Sequence, residues 1–426
     1  MNNFTHHIWI FSYLYNKLRN TLFAQIHKQS ITQLFNYSII QLPNYSIIQL
    51  LNHSIMTPFI VMEVLERAQQ MEQQGTHIIH LEVGEPDFDM PACVAQAAHR
   101  AIDDGHTHYT HSLGDRRLRL SIADFYRSEY GVTVDPDCIL LTSGSSPAIL
   151  MVLMTLCGIA DEVIISNPGY PCYKNFIRAC HATPVEIAVS GSNGFQYNIA
   201  DVIGARTHRT KAIFVNSPMN PAGTLVGAEQ YRQLVDTDIP LISDEIYHGL
   251  VYNGRAHSVL EFTNNAFVVS GFSKRFAMTG MRLGYIIAPP QYVRHLQILQ
   301  QNLFICAPSV SQQAAIAALQ QAAPDVANMR HTYNERRIYM LQRLKNMGFI
   351  IEAEPQGAFY IFANARHFTS DSYQFAFDVL EKAHVGITPG IDFGSGGEGY
   401  VRFSYANSLE NIAEGMNRLE QYLKNK

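Results

Sequence analysis

Lys274 stands where a lysine could take part in covalent chemistry. It follows the apolar run 267–270, in the segment Gly-Phe-Ser-Lys-Arg-Phe, and is therefore placed just beyond the end of a predicted strand. The sequence has nine lysines, and this is the one at a strand end between glycines. An amine held beside an electron-poor cofactor can form an imine. Considered alone, however, a lysine is more often a solvated surface residue.

Two other charged residues occupy strand positions suited to binding. Asp244 ends the apolar run 240–243, where a carboxylate is costly unless it has a partner; a helix N-cap is the alternative role. Arg402 lies on the alternating segment 400–405, with Val401 and Phe403 on the opposite face. A guanidinium can bind a carboxylate through two parallel hydrogen bonds, and an exposed strand arginine is the alternative.

The segment 142–147, Thr-Ser-Gly-Ser-Ser-Pro, follows a predicted strand and opens an apolar helix. Pro147 suits the first turn of that helix, which leaves the amides of Gly144, Ser145 and Ser146 directed at the space before it. Free amides and the helix dipole together form an anion site. The same pattern is also that of an ordinary capped helix.

Short apolar runs alternate with helical patterns between residues 90 and 290, and this arrangement must position these side chains. The runs lie at 138–142, 162–166, 211–216, 240–243, 267–270 and 283–288. Such alternation is typical of βαβ units and of a mainly parallel sheet with helices on both faces. Ligands bind such sheets beyond the carboxyl ends of the strands, which is where Lys274, Asp244 and residues 144–146 are placed.

A second domain is predicted after Pro324. It begins with a long helix that Gly348 ends, whose apolar face is formed by Ile338, Leu341 and Leu344. Strand-like segments follow at 357–362 and 400–405. The closing helix has an apolar face formed by Ile412, Met416, Leu419 and Leu423.

Composition excludes several classes of protein. The chain has 426 residues, of which 47% are hydrophobic and 16% charged, and its net charge is −5. These values indicate two domains with a sizeable core and argue against disorder and against nucleic acid as a partner. The six cysteines form no Cys-x-x-Cys pair, so we expect no metal site and interpret them as reduced thiols of a cytoplasmic protein. We expect no membrane-spanning segment.

Residues 1–55 differ in composition from the rest of the chain. They carry three charged residues, and the first acidic residue of the sequence is Glu63. Three related eight-residue segments begin within this stretch, at 33–40, 41–48 and 49–56. They are too short for the repeats of a solenoid. We therefore expect residues 1–55 to be a leader that is not native or is disordered, and Met56 to be the natural start.

The first helix is predicted directly after this leader. Thr57 is expected to cap the helix, Pro58 to occupy its first turn and Gly75 to end it. The apolar face of this helix is formed by Ile60, Val64, Ala68 and Met71.

These spaced motifs resemble those of the class I/II aminotransferases of the aspartate, alanine and aromatic group, which are fold type I enzymes that use pyridoxal 5'-phosphate. The resemblance covers residues 56–426. It implies an α/β fold with a large cofactor-binding domain at 91–324, built on a mainly parallel seven-stranded sheet. It also implies a smaller α+β domain at 325–426 and an N-terminal arm at 56–90 that joins the smaller domain.

By this resemblance Lys274 is the Schiff-base lysine, which also carries the proton between the substrate Cα and the cofactor. Asp244 pairs with the protonated pyridine nitrogen and so keeps the ring an electron sink. Tyr247 and Asn220 hydrogen-bond the 3-oxygen of the ring. Tyr170 stacks on the ring face. The catalytic residues implied are therefore Lys274, Asp244 and Tyr247.

The resemblance also implies how the phosphate and the substrate are held. The residues implied to bind the phosphate are Gly144, Ser145, Ser146, Arg282 and, from the neighbouring subunit of a homodimer, Tyr109. Some family members carry a serine three residues before the lysine, where this chain has Gly271; Ser273 could supply that contact instead. Arg402 is implied to bind the substrate α-carboxylate, assisted by the backbone of Gly84 and by Asn220.

The implied function is that of an aminotransferase, which moves an amino group from an L-amino acid to a 2-oxo acid in two half-reactions. Aspartate or aromatic donors with 2-oxoglutarate are the expected substrates. A lyase or synthase on the same fold is one alternative, and a non-catalytic regulator of the same fold is another. Such regulators usually carry a helix-turn-helix module, of which the sequence shows no sign.

Overall fold

The computed structural model describes one part of the chain, residues 56–426, and strands alternate with α-helices over residues 139–244. The strands are β1 (Ile79–His80), β2 (Ile139–Thr142), β3 (Glu162–Asn167), β4 (Thr183–Ala188), β5 (Thr210–Asn216), β6 (Leu241–Asp244), β7 (Ala266–Gly271), β8 (Gly284–Ile287), β9 (Tyr360–Asn364), β10 (Val385–Gly386), β11 (Thr388–Pro389) and β12 (Tyr400–Ser404). The α-helices are α1 (Ile60–Gln73), α2 (Ala92–Asp103), α3 (Arg116–Tyr130), α4 (Ser145–Leu156), α5 (Cys172–Ala179), α6 (Ile199–Ala205), α7 (Ala228–Val235), α8 (Pro290–Leu303), α9 (Ser309–Gln321), α10 (Ala323–Asn346), α11 (Ser372–Ala383) and α12 (Leu409–Lys424). The expectations for residues 1–55 concern residues outside this part. No helix among residues 56–426 is long and apolar enough to cross a membrane.

Seven of the strands form one sheet in the order β2-β8-β7-β6-β5-β3-β4. Strand β8 runs antiparallel to both of its neighbours, and the other pairings are parallel. Buried apolar side chains pack in two clusters that share these strands. The predicted mainly parallel seven-stranded sheet is thus confirmed. Strand β4 has no counterpart among the predicted apolar runs, because it is an edge strand of the sequence Thr-Pro-Val-Glu-Ile-Ala with mostly exposed or half-buried side chains.

The carboxyl ends of β5, β6 and β7 lie side by side. Asn216 is in register with Asp244, and Asp244 is in register with Val269. The segments that leave these strands therefore start from one edge of the sheet. These segments carry Asn220, Tyr247 and Lys274.

A separate apolar cluster surrounds a second sheet, which has three antiparallel strands in the order β11-β12-β9. Strand β1 pairs in parallel with β10, so the N-terminal segment contributes to this second region. The prediction for α10 is correct for Leu341 and Leu344, which are buried, and wrong for Ile338, which is 54% exposed. The packed face of α10 is centred on Tyr333, Met340 and Leu344, and Ile338 lies outside that face.

Helix α1 buries Val61, Val64, Ala68 and Met71. The predicted cap is wrong, because the helix begins at Ile60 and its N-cap residue, Phe59, makes no side-chain capping bond. The free amides of Ile60 and Val61 instead donate to the carboxylate of Asp392, at 2.9 and 3.3 Å. Thr57 pairs with Asn175 of α5.

Candidate active site

A cavity of about 520 Å³ opens at the carboxyl edge of the seven-stranded sheet. The predicted site residues that line it are Gly84, Ser145, Ser146, Tyr170, Asn220, Asp244, Tyr247, Ser273, Lys274, Arg282 and Arg402. Gly144 lies immediately behind this wall, against Arg282. Tyr109 does not line the cavity and is 84% exposed. The structure therefore brings together residues that are up to 318 positions apart in the chain, the separation of Gly84 and Arg402.

Lys274 follows β7 and projects into the cavity. Its Nζ atom donates a hydrogen bond to the carbonyl oxygen of Gly84 at 2.6 Å. Burial lowers the pKa of Lys274 from 10.5 to about 8, against the opposing effect of the Glu85 carboxylate. A lysine amine in such surroundings loses its proton at a much lower pH than a surface lysine does. The neutral amine is the form that attacks a carbonyl.

Asp244 ends β6 with its carboxylate buried. The hydroxyl of Tyr173 donates to Oδ2 at 2.7 Å and the amide of Ile246 donates to Oδ1 at 3.1 Å. Burial raises the pKa of Asp244 to about 6, although both of these hydrogen bonds lower it. No lysine, arginine or histidine among residues 56–426 forms an ion pair with this carboxylate. A cationic group placed in the cavity would therefore find an uncompensated partner.

The N-terminus of α4 and Arg282 form an anion cradle. The N-cap residue of α4 is Gly144, and no side chain caps the first-turn amides. Arg282 has a left-handed backbone, with φ of 49°, and its Nη1 atom donates to the carbonyl oxygen of Thr279 at 2.9 Å. A Cβ atom at Gly144 would stand 2.5 Å from Nη2 of Arg282. Glycine at this position thus lets the guanidinium approach the helix start.

The backbone around Gly271 leaves no room for a side chain. A Cβ atom at this position would lie 2.9 Å from the carbonyl oxygen of Leu283 and 3.1 Å from Cα of Gly284. Both atoms belong to the backbone of β8 or its approach, so they cannot move aside without separating two paired strands. Ser273, two residues further along the chain, is buried and lines the cavity.

Arg402 lies on β12 between two aromatic rings. Its guanidinium carbon is 4.3 Å from the ring centroid of Tyr360 and 5.1 Å from that of Phe393. Nη1 donates to Oδ1 of Asn220 at 3.0 Å, and Nη2 donates to the carbonyl oxygen of Glu82 at 2.6 Å. The buried Nε atom has no partner in the described chain. These contacts fix the orientation of the guanidinium and leave it a donor for an acidic ligand.

Several residues that line the cavity are not predicted as site residues by the sequence. Tyr360 lies 2.8 Å from the hydroxyl of Tyr247, and Phe59 meets the ring of Tyr170 edge-on at a centroid distance of 6.2 Å. Tyr173 reaches Asp244 as described above. Apolar side chains of the first helix and of α4 also line the cavity, among them Val61, Met62, Leu65 and Ile149. Each belongs to an apolar pattern that indicates a core position, so no local signal assigns it to a site.

Comparison with known proteins gives concordant results. A family model described as aminotransferase class I and II matches residues 76–419. A (5-formylfuran-3-yl)methyl phosphate transaminase of Methanocaldococcus jannaschii is 40% identical over 369 residues, which cover 86% of this chain and 96% of the relative. An aspartate aminotransferase of Pyrococcus horikoshii is 36% identical, over 85% of this chain and 94% of the relative.

Solved structures show the same similarity. A protein of Methanococcus jannaschii, whose active site is described as similar to that of kynurenine aminotransferases, superimposes with a TM-score of 0.82 at 40% identity, over 88% of this chain and 99% of the other. The aspartate aminotransferase of Thermus thermophilus with maleate gives a TM-score of 0.82 at 33% identity, over 86% of this chain and 97% of the other.

Proposed function

Because this chain belongs to the class I and II aminotransferases, which depend on pyridoxal phosphate, we propose that its cavity around Lys274 is the site of amino-group transfer. The observation that carries this assignment is the pairing of a buried amine with a lowered pKa and a buried carboxylate that lacks a cationic partner. We propose that Lys274, Asp244 and Tyr247 are its catalytic residues and that Arg402 is its carboxylate-binding residue.

The residues of the cavity fit pyridoxal phosphate at both ends of that molecule. Asp244 would hold the ring nitrogen, and the amides of Ser145 and Ser146 with the Arg282 guanidinium would hold the phosphate. We further propose that Asn220 and Tyr247 bind the ring 3-oxygen and that Tyr170 covers the ring face. When bound, the cofactor supplies a carbonyl group for the amine and a ring that withdraws electrons from the substrate Cα.

Lys274 performs the proton transfers in this proposal. Its burial keeps about one tenth of the amine neutral at pH 7, so Nζ can accept the proton that leaves the substrate Cα. The carbonyl oxygen of Gly84, which accepts a hydrogen bond from Nζ, holds the amine on the cavity side of β7. The buried surroundings exclude water, which strengthens each electrostatic contact in the cavity.

Arg402 orients the substrate. A guanidinium binds a carboxylate with directional hydrogen bonds, and the rings of Tyr360 and Phe393 prevent it from rotating away. Fixing the α-carboxylate fixes the direction of the Cα–H bond relative to Lys274, which is the orientation effect that speeds proton removal. Asn220 contacts Arg402 and therefore couples the carboxylate site to the ring site.

The family transfers amino groups between amino acids and 2-oxo acids and is generally dimeric. We propose a homodimer in which the exposed Tyr109 reaches the phosphate of the neighbouring subunit. We also propose a large domain at 91–324 and a smaller region built from 56–90 and 325–426, supported by the pairing of β1 with β10. Six unpaired cysteines support a cytoplasmic location.

Absorption spectra test the proposed reaction. The protein loaded with cofactor should lose its visible band when an L-amino acid is added and regain it when a 2-oxo acid follows. Aspartate and aromatic amino acids are the first donors to test and 2-oxoglutarate the first acceptor. Release of ammonia or of a side-chain fragment, with no recovery of the band on adding any 2-oxo acid, would indicate a lyase and contradict the proposal.

A further inference from the structure

Tyr173 contacts Asp244, and none of the proposed roles of the site residues accounts for this contact. It lies in the first turn of α5, three residues after Tyr170, and its side chain is buried. Its ring stacks on that of Phe214, with centroids 4.4 Å apart and planes 18° apart. Its hydroxyl donates to Oδ2 of Asp244 at 2.7 Å. The ring thus has its own packing partner, and the hydroxyl is committed to one carboxylate oxygen.

The hydroxyl of Tyr173 opposes the effect of burial on Asp244. A buried carboxylate favours its neutral, protonated form, and hydrogen bonds to its oxygens favour the charged form. Only two groups in the described chain donate to this carboxylate, namely the amide of Ile246 and the hydroxyl of Tyr173. The charge of Lys274 also favours the ionised carboxylate, and Tyr173 is the side chain that favours it through a hydrogen bond.

We propose that Tyr173 is a positioning residue that keeps the proton on the pyridine nitrogen of the cofactor by holding Asp244 in its charged form. This inference rests on the proposed role of Asp244. With the Tyr173 hydroxyl in place, the carboxylate keeps its negative charge and the nitrogen keeps its proton. Without it, the N–H bond breaks and an O–H bond forms on Asp244, so that both groups become neutral.

The same turn then controls two properties of the ring. Tyr170 covers the ring face, and Tyr173, on the adjacent side of that turn, sets the charge at the ring nitrogen through Asp244. The two tyrosine rings meet edge-on with centroids 5.1 Å apart, so the position of one constrains the other. A ring that has lost its nitrogen proton withdraws fewer electrons from the substrate Cα, which slows proton removal without weakening the carboxylate contact at Arg402.

The test compares Tyr173→Phe with Tyr197→Phe. Tyr197 also donates a hydrogen bond beside Phe214, to the carbonyl oxygen of Phe214 at 2.7 Å, and it does not contact Asp244. Each variant loses one hydroxyl group and keeps its ring. The readout is the ¹⁵N resonance of cofactor labelled at the ring nitrogen and bound to each protein at neutral pH. It reports the proton on that atom directly, independently of turnover.

We expect the resonance to move toward the unprotonated position in Tyr173→Phe and to stay in place in Tyr197→Phe. The first half-reaction of Tyr173→Phe should slow by about ten- to a hundredfold, the range for a hydrogen bond to a charged group, with little change in KM. An unchanged resonance in Tyr173→Phe, or an equal shift in both variants, would overturn the inference.

Asp244→Asn separates this inference from the function on which it rests. If the resonance moves in Asp244→Asn but not in Tyr173→Phe, the role of Asp244 stands and that of Tyr173 fails. If it moves in neither, the role of Asp244 fails as well. Adding Tyr173→Phe to Asp244→Asn should produce no further shift, because a residue that acts only through Asp244 has nothing left to act on.

Discussion

The lowered pKa of Lys274 predicts how fast the cofactor-free protein captures pyridoxal phosphate at each pH. With a pKa of about 8, the Lys274 amine is neutral in about one tenth of the molecules at pH 7. A lysine of ordinary pKa is neutral in about three molecules out of ten thousand at the same pH. Since only the neutral amine attacks the carbonyl, Lys274 should have about 300 times more of the reactive form than a surface lysine at this pH.

The assay is stopped-flow absorption during covalent attachment of the cofactor, between about pH 6 and 10.5, where both amines titrate. The ionisation of the cofactor changes its reactivity in the same range. Nα-acetyl-lysine amide, which keeps a free side-chain amine, must therefore be measured in parallel. The ratio of the two rates cancels the contribution of the cofactor. This ratio should be constant below pH 8 and should fall about tenfold for each pH unit between 8 and 10.5.

A ratio that stays flat up to pH 10.5 would refute the assignment, because it would mean that Lys274 titrates like a free lysine. Glu85→Gln is an independent control for the direction in which the pKa of Lys274 moves. The Glu85 carboxylate raises the pKa of Lys274, so its removal should lower that pKa further and move the start of the decline to lower pH.

Three substitutions test other parts of the site. Lys274→Ala removes the only lysine that lines the described cavity, so turnover should fall by about three orders of magnitude or more and borohydride should fix no cofactor to the protein; a fixed cofactor would contradict the assignment. Gly271→Ser places a Cβ atom 2.9 Å from the carbonyl oxygen of Leu283 and should cost about 1–3 kcal/mol of unfolding free energy, seen as a lower melting temperature. Gly227→Ser, whose Cβ atom meets nothing within 4 Å, is its control, and equal melting of the two variants would show that β7 and β8 are not in close contact. Arg402→Lys loses the paired donors of the guanidinium and should raise KM for the amino acid about ten- to a hundredfold; an unchanged KM would remove Arg402 from the substrate site.

The polar residues at the strand ends were predictable because two local signals place them. Apolar runs of four to six residues mark the strands, and the carboxyl ends of parallel strands share one edge. Asp244 follows such a run directly and Lys274 follows one after three residues, so their proximity follows from the sheet. The loop glycine Gly144 is predictable for the same reason, since it stands between β2 and a proline-marked helix start.

The aromatic residues of the site were not predictable, because their patterns are those of core residues. Tyr173 meets Asp244 across 71 residues of chain, and Tyr360 meets Tyr247 across 113. Contacts of this kind depend on how separate segments pack, which no local spacing records. The prediction of the α1 cap was wrong for the same reason. Thr57 is a residue type that caps helices, but the first amides of α1 donate their hydrogen bonds to the carboxylate of Asp392, more than 300 residues away.

The short turn Gly390–Phe393 explains why the first helix belongs to the site. Asp392 accepts the amides that begin α1, and its neighbour Phe393 lies against the guanidinium of Arg402. Neighbouring residues of one turn therefore contact both the start of α1 and the guanidinium of Arg402. Because Phe59 immediately precedes this helix and meets the ring of Tyr170, the turn fixes the outer wall of the cavity relative to Arg402. The segment that leads into α1 is thus a structural part of the site.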